Sequence, residues 1–333
     1  LQEKCIIPET KAFYLENGNT FWWDAICKEM RNVRPAFEVW DKTLAQIPVG
    51  YQEGRCHLMF NVKMGENFRR KARFGAGGHT TEVSSTLTNA SVVSSDSVRL
   101  ALTIAALNDL KVMACDIQNA YLTAYCHEKI WTRAGAEFGS KAGARFLVKK
   151  AFYGLKSAGA AFRALLAETL YDLGYVPTKA DPDVWLQPAV KADGFKYYEM
   201  VLCFVDDVLS VSADPLKTLH QGLQTTFKLK DDKIAEPDIY LGVQLGKKNA
   251  DGIDCWTMSA EKYVAASVKN VEKTLAKRGL RLPTKCYTPL ELRMSQIVTV
   301  CNVTKNLLVY SAGRWNSDVS MYCSKRHCCL LIW

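Results

Sequence analysis

The sequence predicts an α+β fold with an antiparallel sheet, on three observations. Strand-like and helix-like segments interleave, but crossover helices do not follow every strand. The stretch Met200–Val211 is apolar on both sides of one acidic pair, Asp206-Asp207, and so reads as two strands joined by a tight hairpin with the carboxylates at its tip. With 48% hydrophobic and 23% charged residues in a chain of 333, the composition is globular, with room for about two or three subdomains.

Near the N-terminus, Phe21, Trp22, Ala25, Ile26 and Met30 recur at helical spacing, and Asn19 or Thr20 is placed to cap the start. Cys56 to Val62 reads as a strand. The basic run Arg69-Arg70-Lys71-Ala72-Arg73 follows, then a break at Gly75-Ala76-Gly77-Gly78. Ser94 or Ser95 caps a helix that turns Val98, Leu102, Ala105 and Leu110 inward, and Val112-Met113-Ala114-Cys115 is a short strand ending on Asp116. Leu155, Phe162, Leu165, Leu166, Leu170 and Leu173 make one helical face, with Gly174 at the position after the helix where glycine belongs. After the acidic hairpin, Asp214-Pro215 starts a helix that buries Leu216, Leu219, Leu223 and Phe227. Tyr240–Leu245 reads as a strand. Ser259 caps a last helix through Tyr263, Val264, Val268, Val271 and Leu275, closing at Gly279.

The net charge of +9 suits a polyanionic partner without specifying one. No run of ~20 apolar residues could span a bilayer. The start, Leu1-Gln2-Glu3-Lys4, lacks an initiating Met and a signal-peptide pattern, so the sequence reads as beginning inside a longer protein, and nothing points to export. Twelve cysteines include no C-x-x-C pair, which argues against a zinc ribbon or knuckle. Without a secretory signal, a disulfide framework is not expected either.

The acidic residues carry the chemistry. Phosphoryl transfer to a growing nucleic acid uses two divalent ions about 3.5–4 Å apart, and magnesium takes one or two protein carboxylates per ion. A strand-end Asp and an Asp pair on a hairpin tip supply that ligand set. The plainer reading of Asp206-Asp207 is a polar turn. Against it, an acidic pair between core strands is costly unless compensated or placed at a site. The glycines at 75–78 are not followed by Gly-Lys-Ser/Thr, so a phosphate loop is not supported.

Five segments resemble copia-type retrotransposon reverse transcriptases over about residues 20–290. Cys115-Asp116-Ile117-Gln118-Asn119-Ala120-Tyr121-Leu122 resembles the first palm motif, and Phe204-Val205-Asp206-Asp207 the Tyr-Val-Asp-Asp box with Phe for Tyr. Lys150-Ala151-Phe152-Tyr153-Gly154-Leu155-Lys156-Ser157 resembles the Tyr-Gly-Leu-Lys motif, and Arg70-Lys71-Ala72-Arg73 the Lys-Ala-Arg fingers strand. Tyr240-Leu241-Gly242-Val243 matches the Leu-Gly strand after the palm. The resemblance implies a right-hand polymerase: fingers at about 20–110 and 125–160, palm around Asp116 and at about 160–245, and part of a thumb. It implies Asp116, Asp206 and Asp207 as catalytic acids binding two Mg2+ (or Mn2+) ions, and Lys71 and Arg73 on the incoming triphosphate. Tyr121 becomes the ring that excludes a 2′-hydroxyl, with Tyr153, Gly154 and Lys156 lining the nucleotide and template pocket. On residues alone, Lys71 and Arg73 read equally as a solvated strand edge, Tyr121 as a core tyrosine and Gly154 as a turn glycine. The implied partners are an RNA or DNA template-primer and deoxynucleoside triphosphates, with no membrane. The implied location is intracellular, in a cytoplasmic particle or the nucleus. A catalytically inactive nucleic-acid-binding remnant is the alternative.

The pattern breaks in places. Phe74-Gly75 stands where the family has Leu-Val, and a strand glycine predicts a weakened fingers sheet. Ser157-Ala158-Gly159 replaces Gln-Ala-Pro. After Tyr287-Thr288-Pro289-Leu290 the patterning stops and Cys301, Cys323, Cys328 and Cys329 accumulate. The family continues with a segment resembling LIGVLRWAVELGRID. Suitable codons for it, read one nucleotide late, translate to LLVYSAGRWNSDVSM, which is Leu307–Met321. The expected organisation is therefore an N-terminal extension at 1–19, reverse transcriptase at 20–290 and a frameshifted tail at 291–333 that does not pack as a unit. The family's downstream ribonuclease H domain is then missing. Removing the tail takes away five basic and two acidic residues and leaves a net charge of +6.

Overall fold

A computed structural model describes residues 18–40, 46–63, 68–81, 88–250 and 253–282. The tail at 291–333 and all but the last two residues of the 1–19 extension lie outside them. The chain divides into two compact units, Leu1–Leu241 with Lys247–Trp256, and Gly242–Gly246 with Thr257–Trp333.

In the first unit, helix α1 (Phe21–Val33) buries Ile26, Met30 and Val33, the stripe that the spacing predicts. Thr20 is its N-cap residue, but its hydroxyl bonds the side chain of Asp24 (2.8 Å), and Asn19 Oδ1 accepts the Phe21 N–H at 3.3 Å. Strands β1 (Phe37–Val39) and β2 (Gln52–Glu53) precede the hairpin of β3 (Cys56–Lys63) and β4 (Arg69–Ala76). That hairpin pairs without a break from Cys56↔Ala76 to Lys63↔Arg69. Gly75 does not interrupt it. A Cβ there would meet Met59 Cε at 2.8 Å and the Tyr153 carbonyl at 3.3 Å, so the missing side chain admits a neighbouring backbone.

Helix α2 (Ser95–Leu107) is capped by Ser94, whose Oγ accepts the Ser97 N–H at 3.1 Å. Strand β5 (Lys111–Asp116), the single turn α3 (Ala120–Thr123), β6 (Ile130–Arg133) and β7 (Arg145–Val148) follow. Helix α4 (Ala158–Asp172) ends in a Schellman motif. Gly174, at φ +88°, donates to Tyr171, and Tyr175 N–H donates to the Leu170 carbonyl at 2.9 Å. Then come β8 (Val176–Pro177), β9 (Val184–Val190), β10 (Lys196–Phe204), β11 (Asp207–Ser212), β12 (Ile239–Tyr240), β13 (Val243–Ala250), β14 (Ile253–Ser259) and helix α5 (Glu261–Ala276).

Among the described residues, one sheet has the order β1-β7-β6-β2 and another β5-β11-β10-β9-β8. Pairing in both is antiparallel except for the short parallel contact of β2 with β6. The fold is thus mixed helix and antiparallel sheet. Its core joins α1, α4 and both sheets around Phe74, Phe152, Phe162, Val201, Val208 and Phe227.

Two local expectations need correcting. The chain after Asp214-Pro215 forms a wide π-helical turn, Lys217–Gly222, then a 3-10 turn, Leu223–Thr225. Leu219, Leu223 and Phe227 are buried as predicted, but Leu216 is 46% exposed. The wider turn changes the phase between Leu216 and the residues after it, and Gly222 lies against Leu173 where a Cβ would come within 2.8 Å. Tyr240–Leu245 is not one strand, because Leu241 (φ +52°) and Gly242 (φ +74°) are left-handed and turn the chain. In helix α5, Ser259 Oγ accepts the Glu261 N–H at 3.1 Å, and none of the helix residues is buried.

Candidate active site

The acidic hairpin and β5 meet by register. Phe204 pairs with Asp207 across β10 and β11, leaving Val205 and Asp206 as a two-residue turn. Asp207 therefore begins β11 and does not sit in the turn. It stands directly opposite Asp116 on β5. Val205 is at φ +55°, a costly conformation for a β-branched residue. The turn is held by Ile117 N–H donating to the Asp206 carbonyl at 2.8 Å, and by the Tyr240 hydroxyl donating to the Leu202 carbonyl at 3.0 Å.

Lys230, which the sequence reading did not single out, reaches this place through backbone pairing. Gln118 N–H donates to the Lys228 carbonyl at 2.8 Å and Leu229 bridges Ile117, so the next residue lies beside Asp116. Its ammonium hydrogen-bonds Asp116 Oδ2, and that bond raises the Lys230 pKa. In sequence, Lys228–Lys233 reads only as a charged loop.

The other two carboxyls are poorly compensated. Burial, then the charges of Asp206 and Asp116, push Asp207 up to about 6. Burial and the charge of Asp116 also raise Asp206, with Lys230 and Lys71 opposing. Beneath them Cys115 is buried, and its thiol is pushed up to about 12 by burial and the neighbouring aspartates.

Strand β4 brings Lys71 close enough for its charge to act on Asp206. Ala72 and Phe74 point into the core, so alternation puts Lys71 and Arg73 on the opposite face. Burial, followed by the positive charges of Arg73 and Lys63, lowers Lys71. The Arg73 guanidinium lies 5.0 Å over the Tyr153 ring, and that ring meets Tyr121 edge-on at 5.2 Å. Tyr121 is carried by α3, which starts after left-handed Asn119 (φ +54°). Burial and the charge of Asp206 raise its hydroxyl. Asp116, Asp206, Asp207, Lys71, Arg73, Tyr121 and Tyr153 are thus brought together.

Gly154 is required by close approach. It sits at φ +90°, and a Cβ would lie 2.0 Å from the Ala76 carbonyl oxygen. Lys156 follows in the same loop. Its Nζ donates to the Thr81 carbonyl at 2.8 Å, tying the loop before α4 to the turn after β4.

Among the described residues no group of three His, Cys, Asp or Glu side chains is gathered as a finished metal cage. The donor chemistry nevertheless fits a hard divalent cation. Two carboxylates face each other across a strand pair, a third sits on the adjoining turn, and two of the three are held above their ordinary pKa. Lys230 engages only Oδ2 of Asp116, and a carboxylate can accept such a bond while its other oxygen coordinates a cation.

Comparison with known proteins places the chain by class and then more narrowly. The family described as "Reverse transcriptase (RNA-dependent DNA polymerase)" matches residues 38–286, and the chain belongs to it. Within that family it is similar to plant transposon proteins, in keeping with the copia-type motifs. It is 25% identical over 270 residues to the Retrovirus-related Pol polyprotein from transposon TNT 1-94 of Nicotiana tabacum, covering 78% of this chain and 19% of that protein. It is 26% identical over 218 residues to the Retrovirus-related Pol polyprotein from transposon RE1 of Arabidopsis thaliana, 63% of this chain and 14% of that protein. The chain thus spans a fifth or less of the curated relatives it matches. No described helix is long and apolar enough to cross a membrane.

Proposed function

We propose that this chain extends a primer on an RNA or DNA template, adding deoxynucleotides to the 3′-end with pyrophosphate leaving. The observation that carries the reading is the register that sets Asp207 opposite Asp116 with Asp206 on the adjoining turn. Two divalent ions, Mg2+ or Mn2+, held by these three carboxylates, supply activation of the 3′-hydroxyl and charge for the triphosphate. Lys71 and Arg73 bind the triphosphate from the opposite side, and Lys230 neutralises Asp116 beforehand. Tyr121 is the ring that excludes a 2′-hydroxyl, a reading supported by its edge contact with Tyr153 and the effect of the Asp206 charge on its hydroxyl. Tyr153, Gly154 and Lys156 line the nucleotide and template pocket, a reading supported by the Arg73–Tyr153 contact and by the Lys156 bond to the Thr81 carbonyl.

In this reading the β3–β4 hairpin and the sheet around β7 are fingers, the sheet around β10 is palm, and β13 to α5 belong to a thumb. The protein works inside the cell, in a cytoplasmic particle or the nucleus, and residues 291–333 are frameshifted translation. Nucleotide sequence that fails to restore the family segment in the neighbouring frame would refute that last point.

Primer extension on a primed RNA template with Mg2+ or Mn2+ tests the activity. The wild-type chain extends, and Asp206→Asn abolishes extension. Equal extension by the Asn variant removes these acids from the mechanism, and no extension by the wild type under any condition favours the inactive remnant.

A further inference from the structure

Glu29 lies on α1 beside buried Met30, yet its carboxylate serves a different element. Its Oε1 accepts the backbone N–H of Phe74 at 2.9 Å, on the edge of β4 away from β3. Two residues on, the same edge is held by Ala76 N–H donating to the Tyr153 carbonyl at 2.8 Å. An edge turned inward needs such acceptors. A neutral amide oxygen would satisfy Phe74 as well, and a carboxylate is the costlier choice in a partly buried position. Its neighbours account for the charge. Burial pushes the Glu29 carboxyl up, while the Phe74 N–H and then Lys71 and Arg73 stabilise its charged form. The same carboxylate acts on Tyr153, over whose ring Arg73 is stacked.

We infer that Glu29 is a positioning residue for nucleotide binding: it is the resting counter-charge of Lys71 and Arg73 and yields them to the incoming triphosphate. This rests on the reading above that those two cations contact the triphosphate. Between nucleotides, the carboxylate stays bonded to the Phe74 N–H, next in sequence to Arg73, and its charge acts on both cations through space. The more highly charged triphosphate then displaces an internal competitor, so removing only the charge of Glu29 tightens binding. Glu29→Gln does that while keeping an oxygen for the Phe74 N–H.

Calorimetric titration of the full chain with inorganic tripolyphosphate and with a deoxynucleoside triphosphate tests the inference without requiring turnover. The comparison set is wild type, Glu29→Gln, Lys71→Ala, Arg73→Ala and the Glu29→Gln/Lys71→Ala double variant, each melted in parallel. Glu29→Gln is expected to bind roughly threefold tighter, the size of one solvent-screened charge interaction, at an unchanged melting temperature. That gain should largely disappear when Lys71 is already Ala. Unchanged or weaker binding by Glu29→Gln overturns the inference. If Glu29→Gln melts early, Glu29→Asp is the control: a gain confined to Gln supports the inference, and an equal gain in Asp overturns it. If Lys71→Ala and Arg73→Ala leave binding unchanged, the placement of the triphosphate fails and this inference fails with it. If they weaken binding while Glu29→Gln is neutral, only this inference fails.

Discussion

Replacing Asp207 by Asn should stabilise the metal-free chain while abolishing synthesis. The folded environment holds the Asp207 carboxyl at about 6, by burial and by the charges of Asp206 and Asp116. An unfolded aspartate titrates near ~3.9, and each tenfold change in proton affinity is worth ~1.4 kcal/mol. A fully enclosed group displaced this far would cost the folded chain about 3 kcal/mol. Solvent around a partly exposed carboxyl reduces this to about 1–2 kcal/mol, or roughly 2–6 °C for a chain of this size. Between about pH 4 and pH 6 the folded carboxyl holds a proton that the unfolded one has released. Wild-type stability therefore rises as pH falls through this window, and the cost is fully present above it. Asn has no charge to relieve. Thermal melting in chelator should accordingly show Asp207→Asn ahead at pH 8, with the two chains converging by about pH 4. Mg2+ should raise the wild-type melting temperature and leave the variant largely unmoved. An Asn variant that melts lower at pH 8, or a gap that does not change with pH, would refute the account of a strained carboxylate cluster.

Gly154→Ala sets a Cβ 2.0 Å from the Ala76 carbonyl at φ +90°, where backbone meets backbone. A loss of about 3 kcal/mol or more is expected in denaturant melts. Gly194→Ala, at φ +87° with open space around it, is the comparison and should cost only about 1–2 kcal/mol. Tyr121→Val removes the ring beside Tyr153 and Asp206. Single-nucleotide incorporation should then accept ribonucleotides roughly tenfold more readily relative to deoxynucleotides; an unchanged ratio would return Tyr121 to the status of a packing residue.

Much of the fold was legible because it depends on local periodicity. The helix stripe at Ile26 and Met30, the Ser94 cap and the Gly174 terminus all follow from rules spanning a turn or two. The misreadings fall where a local rule met an outside constraint. Leu216 was assigned inward on a 3.6-residue period that the π-helical turn does not keep. Tyr240–Leu245 reads as continuous on its apolar residues, although Gly242 is the one local sign of the turn that left-handed Leu241 begins. Gly75 counted as a weakness because a single sequence cannot show that Tyr153 backbone needs the space.

The site divides in the same way. Residue types alone nominate Asp116, Asp206 and Asp207, since an acidic pair between apolar strands is visible in one dimension; the resemblance to reverse transcriptases adds Lys71, Arg73, Tyr121, Tyr153, Gly154 and Lys156. Three roles depended on tertiary structure. Lys230 reaches Asp116 across 114 residues, Glu29 reaches Phe74 across 45, and Lys156 serves the Thr81 carbonyl across 75. Hydrogen bonds and charge pairs of this kind carry no periodic signature. They exist only once the sheet register and the packing of α1 on β4 have set which distant groups share a dielectric. The sequence by itself therefore determined which residues could do the chemistry. Only the fold decided which cation neutralises which acid, because that depends on separation in space and on lost water, and neither is written in residue order.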